Sequence, residues 1–353
     1  MGKLTPRVIV LVLFLLSFLT IILLSTYNVG LENNANKAPL FTPEDSPLVV
    51  TKPPTQKRLA YIVSDARIPF WSIMGRGVQK SADELGYKLD IYSAENSPKR
   101  ELEFVAKAIR DNVSGIIVSP TTSSSCTTIL KLASSSNIPV VISDIGTDGG
   151  DYLSYISSNN QEGAYQIGNI LAKQMSQRNW DNGKVGIIAI PQKRLNGQAR
   201  TAGFMQAMDK ARIKSADIKQ QSTFSYQETY DYTKELIENH PNLRAIWLQG
   251  SDRYQGALDA IEDGGKKGKI LLLTFDAEPE FIDLISKGIL VASAMQQPYL
   301  MGEKSVTTMD MHLKGQIVPK NQQLPVLAVS RENVQELQSV IQRNVLGIES
   351  KNK

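Results

Sequence analysis

From Leu59 onward, short apolar runs alternate with longer amphipathic stretches, and this rhythm restricts the fold more than any other feature of the chain. The spacing predicts strands over 59–64, 88–93, 115–119, 139–143, 184–190, 244–248, 270–274 and 290–294. It predicts helices over 70–85, 98–111, 127–135, 161–177, 198–211, 226–239, 253–262 and 278–287. Apolar runs this short, divided by helices, signal parallel strands buried on both faces. The fold class is therefore α/β, doubly wound, with too many units for one sheet of ordinary size. Two sheets, and so two lobes, are expected.

Length agrees, since 353 residues suit two domains better than one. The formal charge of +4 carries no long basic run, so nucleic-acid binding has no compositional support. The single cysteine, Cys126, excludes an internal disulfide framework and reads as a small apolar residue at a helix start. Residues 8–25 carry no charge and come after Lys3 and Arg7. As a helix they would span about 27 Å, close to the hydrocarbon thickness of a bilayer. Residues 1–26 are therefore a signal anchor or a cleaved signal peptide, and either exports the rest of the chain. Residues 27–57, with Pro39, Pro43, Pro47, Pro53 and Pro54, sustain no apolar period and read as a linker.

Enzyme templates find no match. Gly75 and Gly77 lie inside the first predicted helix, so no G-x-G-x-x-G follows a strand. A Walker loop, H-E-x-x-H and G-x-S-x-G are absent from the sequence. The two histidines, His240 and His312, sit near predicted helix ends, where the last carbonyls occupy them. Neither a catalytic residue nor a metal or cofactor site is expected. Carboxylate chemistry by Asp144 and Asp276 in a shared cleft stays open as the enzyme alternative.

A binding site reads more coherently. Doubly wound sheets bind ligands beyond the carboxyl ends of their strands. Just there the chain places Asp144 after VVIS, Gln249 to Asp252 after AIWL, Asp276 after LLLTF, and Gln296 after VASAM. Arg200 opens the helix after strand 184–190. Within Tyr61–Tyr87, a strand passes through Pro69-Phe70-Trp71 into a helix. Sugars need polar side chains around their edge and rings above and below. Phe70, Trp71 and Phe224 can supply rings. The competing readings are core aromatics for these three, helix caps for Asp144 and Asp276, and a surface cation for Arg200.

These motifs together resemble the type I periplasmic sugar-binding proteins, the ribose-binding group especially, over about residues 59–330. Pro69-Phe70-Trp71 matches that family's aromatic turn, and Asp144 its carboxylate after the fourth strand. Arg200 before Gly203-Phe204, Phe224, Phe275-Asp276 and Gln296 match its second-lobe contacts. The resemblance implies ligand contacts from Phe70, Trp71, Asp144, Arg200, Phe224, Asp276 and Gln296, and Ser251, beside the strand end at Leu248, is expected as a further one. The resemblance also implies an N-terminal lobe of 58–157 with 297–326, a C-terminal lobe of 158–296 with 327–353, and crossovers near Ser157, Gln297 and Val326. Hinge closure on a small solute would then present a changed surface to a membrane partner, an ABC permease or a sensor. Three departures stand out. Ile68, Ile145 and Gly250 replace a polar residue, an arginine and an asparagine, which argues against ribose itself. Ser251 or Asp252 could compensate. The LacI-type repressors share this fold but begin with a helix-turn-helix, whereas this chain begins with an apolar segment.

Overall fold

The computed structural model describes residues 57–180 and 182–348. The expected membrane segment and linker lie outside these residues, apart from Lys57. Among the described residues, no helix is long and apolar enough to cross a membrane. The strands are β1 Arg58–Val63, β2 Lys88–Ser93, β3 Gly115–Ser119, β4 Val140–Ser143, β5 Ser154–Ser158 and β6 Lys184–Ala189. They continue with β7 Lys214–Gln220, β8 Leu243–Leu248, β9 Leu271–Phe275, β10 Ala292–Met295, β11 Asn321–Leu324 and β12 Leu327–Ser330. The principal helices are α1 Pro69–Glu84, α2 Pro98–Arg110, α3 Ser123–Ser134, α4 Asn160–Gln177, α5 Leu195–Ala211, α6 Tyr226–Asn239, α7 Tyr254–Asp263, α8 Phe281–Ser286 and α9 Pro298–Leu313.

The strands form two six-stranded sheets, ordered β11-β5-β4-β3-β1-β2 and β12-β10-β9-β8-β6-β7. All pairings are parallel except β10 with β12. β3, β4, β9 and β10 are buried at every residue, as a strand covered on both faces must be. The chain passes from the first sheet to the second after β5, returns after β10, and crosses again between β11 and β12.

Four elements escape the apolar-run criterion for a physical reason. β7 (KSADIKQ) and β11 (NQQL) lie at sheet margins, where partial exposure permits polar sequence. β5 (SYISS) is mostly polar, and β12 is a partly exposed margin strand of four residues. The criterion also misses α9, whose buried Tyr299, Met301, Val306 and Met309 are interleaved with Gly302, Ser305, Thr308 and Asp310. The helix expected over 278–287 begins only at Phe281, after Pro279 has disfavoured helical geometry at Glu278. The one expected over 127–135 begins at Ser123, because Thr122 and Ser125 form a capping box there.

Each lobe is fastened by one close helix pair. In the second, Gly203 of α5 meets the backbone of Gln161 in α4 so closely that a Cβ has no room. That approach fixes Arg200, one turn earlier, beside the first residue of α4. In the first lobe, Gly77 of α1 and Gly302 of α9 meet in the same way.

A cavity between the lobes and the family of the chain

The carboxyl ends of both sheets face a cavity of about 50 Å³. Ile68, Phe70, Trp71 and Asp144 line it from the first lobe, and Arg194, Arg200, Phe224, Asp252, Asp276 and Gln296 from the second. Of the eight residues singled out from the sequence, seven converge here. Ser251 does not. Its hydroxyl donates to Glu278 Oε1 at 2.8 Å, and its neighbour Asp252 reaches the cavity instead. Of the three departures, Ile68 and Gly250 border the cavity, while Ile145 is fully buried in the first lobe's core.

The rings come from two loops. Pro69 opens α1 at its first turn, where a missing N–H costs nothing, and sets Phe70 against Trp71 edge to face at 4.9 Å. Phe224 comes from the loop between β7 and α6. It holds a left-handed backbone with φ 53°, an uncommon conformation for a bulky residue. Its surroundings over-determine that conformation. Glu228 accepts from the amides of Ser222, Thr223 and Phe224, and Arg253 Nε donates to the Phe224 carbonyl. Burial pushes Glu228 upward, but these bonds outweigh it and hold the carboxyl below its ordinary range.

Two aspartates also turn through the left-handed region, Asp144 at φ 62° and Asp276 at φ 69°. Aspartate tolerates it better than most residues, and the turn aims a carboxylate off a strand end into the cleft. Asp276 Oδ1 accepts from Gln296 Nε2 at 2.6 Å, and its Oδ2 lies 3.5 Å from Arg200 Nη1. Arg200 is anchored to the protein through two of its nitrogens: Nε donates to Asn160 Oδ1 at 2.8 Å and Nη1 to the Gln249 carbonyl at 2.6 Å. The Phe275 ring lies 3.8 Å beneath its guanidinium. Asp144 Oδ2 accepts from Asn196 Nδ2 at 3.1 Å, across the lobes.

Three buried acceptors at the cavity are left over. Asp144 Oδ1 and Gln296 Oε1 are buried and have no hydrogen-bond partner, and Asp252 Oδ2 has only an ion contact to Arg253 at 3.3 Å. All three are acceptors, so they suit a ligand that donates, as hydroxyl groups do. Their cost shows in the titration. Burial raises Asp144 to about 6, with Asp276 adding to the rise and Arg200 opposing it. Burial also raises Asp276 and Asp252, against Arg200 and Arg253 respectively. Glu278, behind Ser251, is raised to about 7 by burial.

Sequence reasoning passed over Arg194 and Asn196. Both sit at the start of α5, after a strand end, and that position alone could have marked them. A larger hollow, about 480 Å³, opens at the opposite edge of the second sheet among Leu258, Ile270, Leu284 and Val291, away from all these strand-end residues.

Residues 59–317 match the periplasmic binding protein domain. The chain belongs to the periplasmic binding protein family. Among its relatives, the ribose import binding protein of Haemophilus influenzae is 30% identical over 267 residues, 74% of this chain and 88% of that protein. A periplasmic solute binding protein of an ABC transporter from Actinobacillus succinogenes, solved with D-allose, has a TM-score of 0.74 at 20% identity, covering 80% of this chain and 100% of that one. A carbohydrate transporter solute binding protein from Agrobacterium radiobacter, solved with D-arabinose, reaches 0.76 at 21% identity, covering 82% and 99%. The type I periplasmic binding protein fold, two parallel-sheet lobes with a cleft between them, is thus shared with these proteins.

Proposed function

We propose that this periplasmic binding protein traps a monosaccharide-sized solute between its lobes, at a cavity that widens from its present volume of about 50 Å³ to admit it, and releases it unchanged. The observation that carries the reading is the convergence of three aromatic rings with buried, donor-seeking acceptors in one inter-lobe cavity. Phe70, Trp71 and Phe224 would stack on the C–H faces of a sugar. Asp144, Asp252, Asp276 and Gln296 would accept its hydroxyls, and Arg200 would orient Asp276. The names of relatives that bind ribose, allose and arabinose support a pentose or hexose. The apolar Ile68, Ile190 and Gly250 on the wall support a ligand less hydroxylated than ribose at that edge.

The lobes would be 58–157 with 297–326 and 158–296 with 327–353, hinged at the three crossings. The closed form would be read at the membrane by an ABC permease, outside the cytoplasm. The charge-free stretch 8–25 supports a second reading for the partner, since a binding protein anchored beside a membrane sensor would serve signalling rather than import. A thermal-shift panel of pentoses, hexoses, amino acids and small osmolytes tests the ligand class. A ligand at about 100 times its Kd should stabilise the protein by about 2.7 kcal/mol. Stabilisation by an amino acid or osmolyte and by no sugar would overturn the sugar reading.

A further inference from the structure

Arg194 belongs to the second lobe, at the N-terminal boundary of α5, yet its donors go to the first. Nε donates to the Thr121 carbonyl at 3.2 Å, and Nη2 reaches Asn96 Oδ1 at 3.4 Å. The next two residues behave alike. The Leu195 amide donates to Ser123 Oγ at 3.2 Å, and Asn196 Nδ2 to Asp144 Oδ2 at 3.1 Å. α5 has no side-chain cap of its own. A helix start leaves its first amides without partners, and here a serine from the opposite lobe supplies one. The acceptors are held in place independently of Arg194. Glu101 accepts from the Thr121 amide at 2.7 Å and from Ser125 Oγ at 2.9 Å. Asn96 accepts from Ser64 Oγ at 2.9 Å and donates to Asp65 Oδ2 at 3.0 Å.

We propose that Arg194, Leu195 and Asn196 form a clasp that holds the lobes together, with Arg194 as the member that joins clasp to ligand. Arg194 is only 8% exposed and lines the cavity, with its guanidinium over the Phe224 ring at 5.8 Å. Its Nη1 has no hydrogen-bond partner among the described residues. A solute oxygen that accepts from this group is therefore held by the same side chain that grips Thr121 and Asn96. Opening the lobes breaks every bond of the clasp at once, so a ligand that completes the shell of Arg194 lengthens the life of the closed form. The ligand half of this inference rests on reading the cavity as the binding site, but the clasp itself does not.

The test needs no ligand. In the full-length chain, spin labels at Lys99→Cys and Gln227→Cys report the separation of the lobes. Cys126 stays unlabelled, being buried with its thiol raised to about 12 by burial. Arg194→Met keeps the apolar stem over Phe224 and removes the donors. The ratio of short-distance to long-distance population should fall at least about tenfold, as expected for losing one hydrogen bond from a charged donor. Ser123→Ala, which removes the partner of the Leu195 amide from the other lobe, should shift it the same way and decides the matter should Arg194→Met fail to fold. Distance distributions identical to wild type in the folded variants overturn the clasp. Since no sugar is present, that result leaves the ligand class untouched, and a negative sugar panel leaves the clasp untouched.

Discussion

Asp276→Asn separates binding from folding more cleanly than any other single change in the cavity. Asparagine keeps the shape and, after glycine, is among the residues that best accept the left-handed backbone at φ 69°. Alanine there would add about 1–2 kcal/mol of backbone cost and blur the result. The bond from Gln296 Nε2 survives, because the amide oxygen still accepts. The 3.5 Å contact with Arg200 loses its charge, but Arg200 retains Asn160 and the Gln249 carbonyl. Burial raises the Asp276 carboxyl in the folded state, so at neutral pH the charge is a folding cost that asparagine removes. Tm should therefore hold or rise. Binding should weaken, because a hydrogen bond to a charged group contributes about 1.5–3 kcal/mol, or roughly tenfold to a hundredfold in Kd. Titration calorimetry with the sugar that gives the largest thermal shift measures it. A Kd within about threefold of wild type, with the fold intact, would refute the assignment of Asp276 to the ligand.

The same physics gives two further outcomes. Glu278 is raised to about 7 in the folded protein, against about 4.3 in an unfolded chain, so folding takes up a proton between those values. Its contribution to stability declines as pH rises through that window, so the Tm of Glu278→Gln should match wild type below about pH 4.3 and exceed it increasingly towards about pH 7. Differential scanning fluorimetry across that range would show a constant offset if the reasoning fails. Gly203→Ala places a Cβ against the Gln161 backbone and should destabilise the second lobe by about 1–3 kcal/mol, read by urea unfolding. No loss of stability would mean that the α4–α5 contact is looser than described.

Much of this architecture is written in local chemistry. Runs such as GIIVS and LLLTF are apolar throughout because both faces of the strand are covered, and they stand out in the sequence for that reason. Asp144, Asp276 and Gln296 were legible because a doubly wound sheet points its strand ends at one cleft, so polar residues there gain a common meaning. β7 and α9 were not legible, since β7 has no fully buried residue and polar residues interrupt the buried face of α9. Ser251 lies off the cavity that its neighbour Asp252 borders, a distinction set by the turn between β8 and α7 and by the buried Glu278 that captures its hydroxyl. Arg194 escaped because its partners, Thr121 and Asn96, lie 73 and 98 positions away and belong to the other lobe. Spacing within one segment carries no information about a bond of that kind.

The central claim is that the cleft holds one small sugar and does nothing to it. Its most direct measurement saturates the protein with the stabilising monosaccharide, removes free sugar by rapid gel filtration, denatures the complex, and identifies the released molecule by mass and by NMR. The account predicts about one equivalent of the same sugar, chemically unaltered. A retained amount near zero, or a released molecule that differs from the one supplied, would contradict it.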